Sequence, residues 1–288
     1  MAGKVCLATG ATNGIGKVTA TALANQGATL VIVGRDATKV AETVRDITAQ
    51  TGNTHVESIV ADLSSQAEVR RTAQEFLAKH DRLDVLFNNA GAAFTKRQES
   101  VDGLEMTFAL NHMAYFTLTQ ALLPTIQATD AARIVCTASE AHRGAHIDFA
   151  DLQSTRRFQG FGAYGRSKLM NIMFGYELAR RLSGTGITVN TLHPGFVATG
   201  FAKNNGGLIA FAVGVLLRPV EISPAKGAET PIYLATSPEV RGVTGKYFSK
   251  RRAISSSKES YVEADQARLW AMSEEIAARL GAPLSAAR

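Results

Sequence analysis

The chain has 288 residues, 45% of them hydrophobic and 19% charged, which is enough apolar material for one large α/β domain. Its formal net charge is +6, which suits an anionic ligand or an acidic surface; the basic residues are dispersed, and Lys250-Arg251-Arg252 reads as a solvated loop, so no nucleic-acid partner is expected. Six scattered histidines, with Cys6 and Cys136 inside apolar runs, give no metal-ligand spacing, and no stretch reaches the roughly 18 apolar residues of a membrane-spanning helix.

Residues 4–9 form a short apolar run that reads as a buried strand. Its early start leaves no room for a signal peptide, and a cytoplasmic protein is expected. The run breaks at the glycine-rich stretch 9–16, after which a helical pattern continues to about Gln26. Gly10, Gly14 and Gly16 suit a tight turn that a ligand approaches closely. Such a loop leading into a helix N-terminus offers free N–H groups and the positive end of the helix dipole. Gly10, Thr12, Asn13, Gly14, Ile15 and Gly16 therefore read as a pyrophosphate cradle, although the spacing differs from Gly-x-Gly-x-x-Gly.

A second strand over 29–33 runs into Gly34-Arg35-Asp36. In dinucleotide-binding folds the end of this strand meets the adenosine ribose. An acid there bonds the 2′-hydroxyl and repels a 2′-phosphate. Here Gly34 occupies that place and Arg35 follows, and a guanidinium matches a phosphate through charge-assisted contacts. NADP(H) is expected rather than NAD(H). The competing reading is a surface Arg35 beside an Asp36 helix cap.

A helix over 37–50 leads to a third strand over 55–60, ending in Ala61-Asp62-Leu63. Asp62 there either meets an adenine amino group or caps the helix starting near Ser64, and Leu63 belongs to the same cofactor edge. A fourth strand over 83–87 closes with Asn88-Asn89-Ala90-Gly91. Small residues at this point let Asn89, Ala90 and Gly91 approach the cofactor. The alternation of strands and helices predicts a single-domain, Rossmann-like, doubly wound parallel sheet with helices on both faces. Ligands bind at the carboxyl ends of its strands, where every motif so far lies.

A long helical pattern over 101–126 carries Asn111, a poor mid-helix residue that needs a reason to be there. The fifth strand, 133–137, ends in Ala138-Ser139-Glu140. A polar stretch over 141–161, with His142, His146 and Asp151-Leu152-Gln153-Ser154, precedes a helix bearing Tyr164-Gly165-Arg166-Ser167-Lys168. Tyr164 and Lys168 share a helix face, so the ammonium is expected to lower the phenol toward the working range of a general acid/base. A sixth strand over 188–192 closes with His193-Pro194-Gly195. An apolar stretch over 206–217, a helix near 224–235, a strand near 246–248 and an amphipathic helix near 265–280 complete the chain. With no repeat or linker, one domain is expected: 1–137 mainly cofactor-binding, 138–250 catalytic and substrate-binding, 251–288 a C-terminal extension.

Taken together and in this order, the stretch 9–16, Asn88-Asn89-Ala90-Gly91, Asn111, Ser139, Tyr164 with Lys168, and Pro194-Gly195 resemble the short-chain dehydrogenase/reductase family over nearly the whole chain. The gap between Ser139 and Tyr164 is wider than in many members. Its content, with Phe161, Leu169, Asn171, Glu177-Leu178-Ala179 and His193-Pro194-Gly195, narrows the resemblance to the retinol-dehydrogenase-like branch. That branch includes WW-domain oxidoreductases and lies near light-dependent protochlorophyllide reductase. Animal members commonly carry an N-terminal membrane anchor; neither an anchor nor a WW domain is read here. The resemblance thus implies chemistry and cofactor more firmly than substrate.

It implies a catalytic set of Asn111, Ser139, Tyr164 and Lys168. Tyr164 would be the general acid/base at a carbonyl oxygen, and Ser139 a second hydrogen-bond donor that orients it. Lys168 would lower the phenol and hold the nicotinamide ribose hydroxyls, and Asn111 would hold a water linking Lys168 to solvent. Pro194, Gly195, Val197 and Thr199 would form a cofactor loop, with Thr199 toward the carboxamide. The stretch 206–217 sits where the family carries a substrate lid. An apolar lid implies a lipophilic carbonyl or alcohol, or contact with a membrane surface; a buried core helix is the competing reading. The expected partner is a small-molecule substrate, with peripheral membrane contact and a homo-oligomer left open. The alternative function is a catalytically silent NADP(H)-binding regulator or scaffold, which would have no need of Tyr164 with Lys168.

Overall fold

Strand β1 (Val5–Thr9) is buried along its whole length. Its side chains alternate between the two faces of a sheet: Leu7 enters one apolar core, Cys6 and Ala8 the other. A strand covered on both sides needs apolar residues at every position, which is why 4–9 reads as a continuous run. The structure, a computed structural model, describes residues 1–195 and 222–281. Val197, Thr199 and the stretch 206–217 lie outside the described residues.

The strands are β1, β2 (Thr29–Gly34), β3 (Val56–Val60), β4 (Val85–Asn88), β5 (Arg133–Thr137), β6 (Thr188–Leu192), β7 (Lys246–Ser249) and β8 (Arg252–Ile254). They form one sheet in the order β3-β2-β1-β4-β5-β6-β7-β8. Every pairing from β3 to β7 is parallel, and β8 adds antiparallel to β7. The strand order reverses direction between β1 and β4, the place where doubly wound sheets bind ligands.

Helices α1 (Gly14–Asn25), α2 (Ala37–Thr51) and α7 (Pro224–Thr236) line one side of the sheet. On the other lie α3 (Gln66–Leu77), the short α4 (Met106–Phe108), α5 (Ala114–Gln127), α6 (Gly160–Arg181) and α8 (Glu263–Arg279). The second group surrounds the larger core. There Trp270 of α8 stacks on Phe174 at 5.9 Å and meets Phe116 edge-on at 5.0 Å.

Two readings of the sequence are corrected. The helix expected from Val101 begins at Met106: Val101 sits exposed in a turn, and the Glu105 carboxylate accepts from Thr107 N (2.8 Å) and Phe108 N (2.9 Å) to start the helix. A π turn over Ala109–Met113 then joins α4 to α5. Second, Lys250-Arg251-Arg252 is not simply a loop. Lys250 and Arg251 take left-handed backbone (φ 48° and 61°), and Arg252 opens β8. That strand has three exposed residues and no alternating pattern to betray it.

Cys6 and Cys136 are free and buried, and burial pushes both thiols up to about 12. Among the described residues, no cluster of His, Cys, Asp or Glu could hold a metal, and no helix is long and apolar enough to cross a membrane.

Candidate active site

The ends of β1, β4 and β5 are tied by one amide. Asn89 Nδ2 donates to Thr9 O (3.2 Å) and Gly10 O (3.1 Å), and its Oδ1 accepts from Thr137 Oγ1 (3.2 Å). Thr9 Oγ1 in turn accepts from Asn89 N at 2.9 Å and Ala90 N at 3.1 Å. The loop glycines are dictated by this packing. A Cβ on Gly10 would lie 2.7 Å from Ala90 Cα, and one on Gly16 would overlap the Gly10 carbonyl and sit 2.6 Å from Asn89 Nδ2. The expected close approach is therefore first of all chain against chain, while Gly14 supplies a positive φ of 51°.

Helix α1 starts at Asn13, whose side chain caps nothing, and its first turn holds no acidic residue. Its N–H groups and dipole end thus face the crevice without a competing carboxylate. A Cβ on Gly34 would lie 2.7 Å from Thr12 Cγ2, so Gly34 lets the loop meet the end of β2. Arg35 follows, exposed and without an ion pair among the described residues. Asp36 is the cap of α2, accepting from Lys39 N at 3.1 Å. Asp62 is exposed and accepts from Ser64 N (3.0 Å) and Ser64 Oγ (2.8 Å); the cap of α3 is Ser65, not Asp62. Leu63 turns into the core, and Ile15 is likewise buried.

The second half of the site gathers around the Thr137 carbonyl at the end of β5. Lys168 Nζ and Asn171 Nδ2 each donate to it at 3.2 Å, and the Tyr115 hydroxyl at 3.5 Å. A Cβ on Gly91 would lie 3.1 Å from Asn111 Oδ1 and 3.3 Å from Lys168 Nζ, so the β4 loop runs close beside both side chains. The π turn explains Asn111. Fully buried, it accepts from Ala92 N (2.9 Å) and donates to Ala92 O (2.9 Å) and Ser167 Oγ (2.9 Å). It clamps the loop after β4 to the helix carrying Tyr164.

Tyr164 and Lys168 lie on one face of α6, with the ammonium 5.6 Å from the centre of the phenol ring. The charge balance differs from the expected one. Burial pushes Lys168 down to about 7 and Tyr164 up to about 12, the latter opposed by a hydrogen bond from Ser139. A lysine that sheds its proton near neutrality is a weak source of field, so desolvation outweighs it. The Ser139 oxygen accepts from Ala141 N at 3.2 Å, which aims its proton at the phenol. Gly165 allows this approach: a Cβ there would lie 2.6 Å from Ala141 O.

Sequence reasoning missed the Thr137 carbonyl and the role of Gly165. A backbone acceptor leaves no mark in the sequence, and a helical glycine reads only as a weak position. Pro194 and Gly195 end the described part of the loop after β6, Gly195 with φ 91°.

A family model described as short chain dehydrogenase matches residues 4–207. Human retinol dehydrogenase 13 is 37% identical over 279 residues, spanning 95% of this chain and 84% of that protein. Mouse retinol dehydrogenase 12 is 38% identical over 276 residues, spanning 95% and 86%. Among solved structures, an uncharacterised Mycobacterium paratuberculosis protein superposes with a TM-score of 0.78 at 30% identity, over 96% of this chain and 94% of that one. The NADP active-site complex of Pseudomonas aeruginosa RhlG gives 0.69 at 31% identity, over 86% and 94%.

Proposed function

The chain belongs to the short-chain dehydrogenase/reductase family, in its retinol dehydrogenase branch, and we propose that it interconverts a lipophilic ketone or aldehyde and the corresponding alcohol with NADP(H). The observation that carries this reading is the convergence of Ser139, Tyr164, Lys168 and Asn111 around Thr137 and Gly91, at the carboxyl edge of the sheet.

The residues fit a dinucleotide. The uncapped α1 N-terminus, with Gly10, Thr12, Asn13, Gly14, Ile15 and Gly16, would take the pyrophosphate. Arg35, free of ion pairs among the described residues, would take a 2′-phosphate, supporting NADP(H) over NAD(H). Asp62, Leu63, Asn89, Ala90 and Gly91 would flank the adenosine, and Lys168 the nicotinamide ribose. Pro194 and Gly195 would belong to the cofactor loop, as would Val197 and Thr199, which lie outside the described residues. When bound, the reduced nicotinamide supplies the hydride.

The chain's own residues handle the oxygen. Ser139, with its lone pair engaged by Ala141 N–H, donates its hydroxyl proton in a hydrogen bond that polarises and orients the carbonyl. Tyr164 gives that oxygen a proton, and in the reverse direction takes one from the alcohol. Lys168 sits near its own titration point, so it passes between ammonium and amine at neutral pH; as an ammonium it stabilises the phenolate left after transfer. Asn111 holds the Ala92 loop and α6 in register.

The names of the retinol dehydrogenase relatives and the apolar stretch 206–217 support a lipophilic substrate. The test is a screen of aldehydes, ketones and alcohols, retinoids and steroids included, following NADPH absorbance with NADH in parallel. Turnover of a lipophilic carbonyl with NADPH is expected. NADPH binding without turnover of any compound would favour the silent regulator instead.

A further inference from the structure

His142 lies three residues beyond Ser139 and is fully buried. Its two ring nitrogens face two backbone groups from distant parts of the chain. Nε2 accepts from Ser257 N at 3.0 Å, and Nδ1 lies 2.7 Å from Ser139 O. A backbone amide only donates, so Nε2 carries no proton; in a neutral imidazole the proton is then on Nδ1 and is donated to the Ser139 carbonyl. Burial lowers the imidazole pKa and keeps the ring neutral. Tyr247 of β7 packs edge-on against it at 5.0 Å, with its hydroxyl 3.4 Å from Nδ1.

The far end of this bridge is also moored to α6. Tyr176, on the same helix as Tyr164, bonds Ser256 Oγ through its hydroxyl at 2.7 Å. Ser256 Oγ meets Ser260 Oγ at 2.6 Å, and Ser260 Oγ donates to Ser257 O at 2.6 Å. A few residues of the C-terminal extension thus hold both the turn bearing Ser139 and the helix bearing Tyr164.

We propose that His142 is a positioning residue, which sets Ser139 against Tyr164 by bridging the Ser139 carbonyl to the Ser257 amide. The inference rests on the carbonyl–alcohol reading above. The imidazole suits the task because it offers one donor and one acceptor in a rigid ring. The carboxamide nitrogen of asparagine reaches about the place of Nδ1, and the carboxamide oxygen of glutamine about that of Nε2, so each replacement keeps one half of the bridge.

The experiment is a double-mutant cycle in the full-length protein. His142→Asn, His142→Gln and His142→Phe are each made in the wild type and in Ser139→Ala, with turnover, NADPH affinity and thermal melting measured for all. The expected kcat order is wild type, then His142→Asn, then His142→Gln and His142→Phe. The last falls about 10- to 100-fold, the size of a misplaced catalytic group, while NADPH affinity moves less than about twofold. In the Ser139→Ala background the same replacements cost less than about twofold, because the group they position is gone. Equal losses in both backgrounds, or kcat that follows the melting temperature alone, would overturn the proposal.

Amide exchange gives a readout independent of turnover. In His142→Phe, or in His142→Gln should the former fail to fold, exchange over 138–142 and 255–261 should rise together. If either segment stays protected while the other loosens, the bridge is not the tether described. A wild type without turnover on any carbonyl would sink the enzymatic reading, and exchange would still decide the bridge.

Discussion

The Lys168 ammonium stands 5.6 Å from the centre of the Tyr164 ring and donates to the Thr137 carbonyl at 3.2 Å. The lysine is thus anchored by a main-chain oxygen at the end of β5, and its distance from the phenol is set by the sheet. Burial drives the two titration points apart, Lys168 down to about 7 and Tyr164 up to about 12, from ordinary values that lie close together.

Removing the phenolic hydroxyl should stop the chemistry and leave the fold. Tyr164→Phe is expected to lower kcat by about 10² or more, the size of general acid/base help, with NADPH affinity unchanged. Turnover at the wild-type level would take Tyr164 out of the mechanism.

Lys168 pairs activity with a stability penalty. Its folded pKa lies below its unfolded one, so the cost of burying the ammonium is fully felt below about 7 and is relieved as the pH climbs toward 10.5. Lys168→Met should therefore melt a few degrees higher than the wild type at neutral pH, in the absence of cofactor, while losing about 10² or more in turnover. A lower melting temperature would mean that the amine contributes more by its bond to Thr137 than it loses in hydration.

Arg35 is the residue to change for cofactor choice. If its guanidinium meets a 2′-phosphate, Arg35→Ala loses a charge-assisted contact of about 1.5–3 kcal/mol, or roughly 10- to 100-fold in the NADPH over NADH ratio of kcat/KM. A ratio that stays put would return Arg35 to the surface.

His112 should be visible in the pH dependence of stability. It is fully buried among Phe108, Phe116 and Phe174, bonds Ser273 Oγ at 2.9 Å, and is held down to about 3 by desolvation. Its folded pKa is depressed, so as the pH falls the unfolded chain takes up the proton first. The stabilisation is complete above about 6.5 and is lost progressively between there and about 3. Denaturant melts from pH 7 to pH 5 should show a steeper loss for the wild type than for His112→Gln. The difference approaches about 1.4 kcal/mol per pH unit once the unfolded histidine is protonated. His142 and His193, also lowered by burial, add to the slope in both proteins, so parallel lines would mean that His112 is hydrated.

Much of this architecture is legible in the residues because the sheet is covered on both faces. A strand such as β6 must then be apolar or internally bonded throughout, and punctuation by Gly, Asn and Ser falls at the carboxyl ends of β1, β4 and β5. What escapes is whatever rests on backbone atoms or on proximity between distant segments. The gathering of Lys168, Asn171 and Tyr115 on Thr137 O involves a carbonyl that any residue would supply. The π turn around Asn111 hides within an unbroken helical pattern. The phenol's upward shift depends on how completely α6 is enclosed, and helix spacing alone favours the opposite sign.

The antiparallel strand β8 closes one margin of the sheet. Parallel strand β7 would otherwise offer a row of unpaired main-chain groups on which a second molecule could build. Instead a left-handed turn at Lys250 and Arg251 folds back three residues, headed by Arg252 and exposed at every position. The margin left to solvent is short and carries cationic charge, poor footing for an incoming strand. A strand that short, opened by an arginine, is a poor template for further pairing.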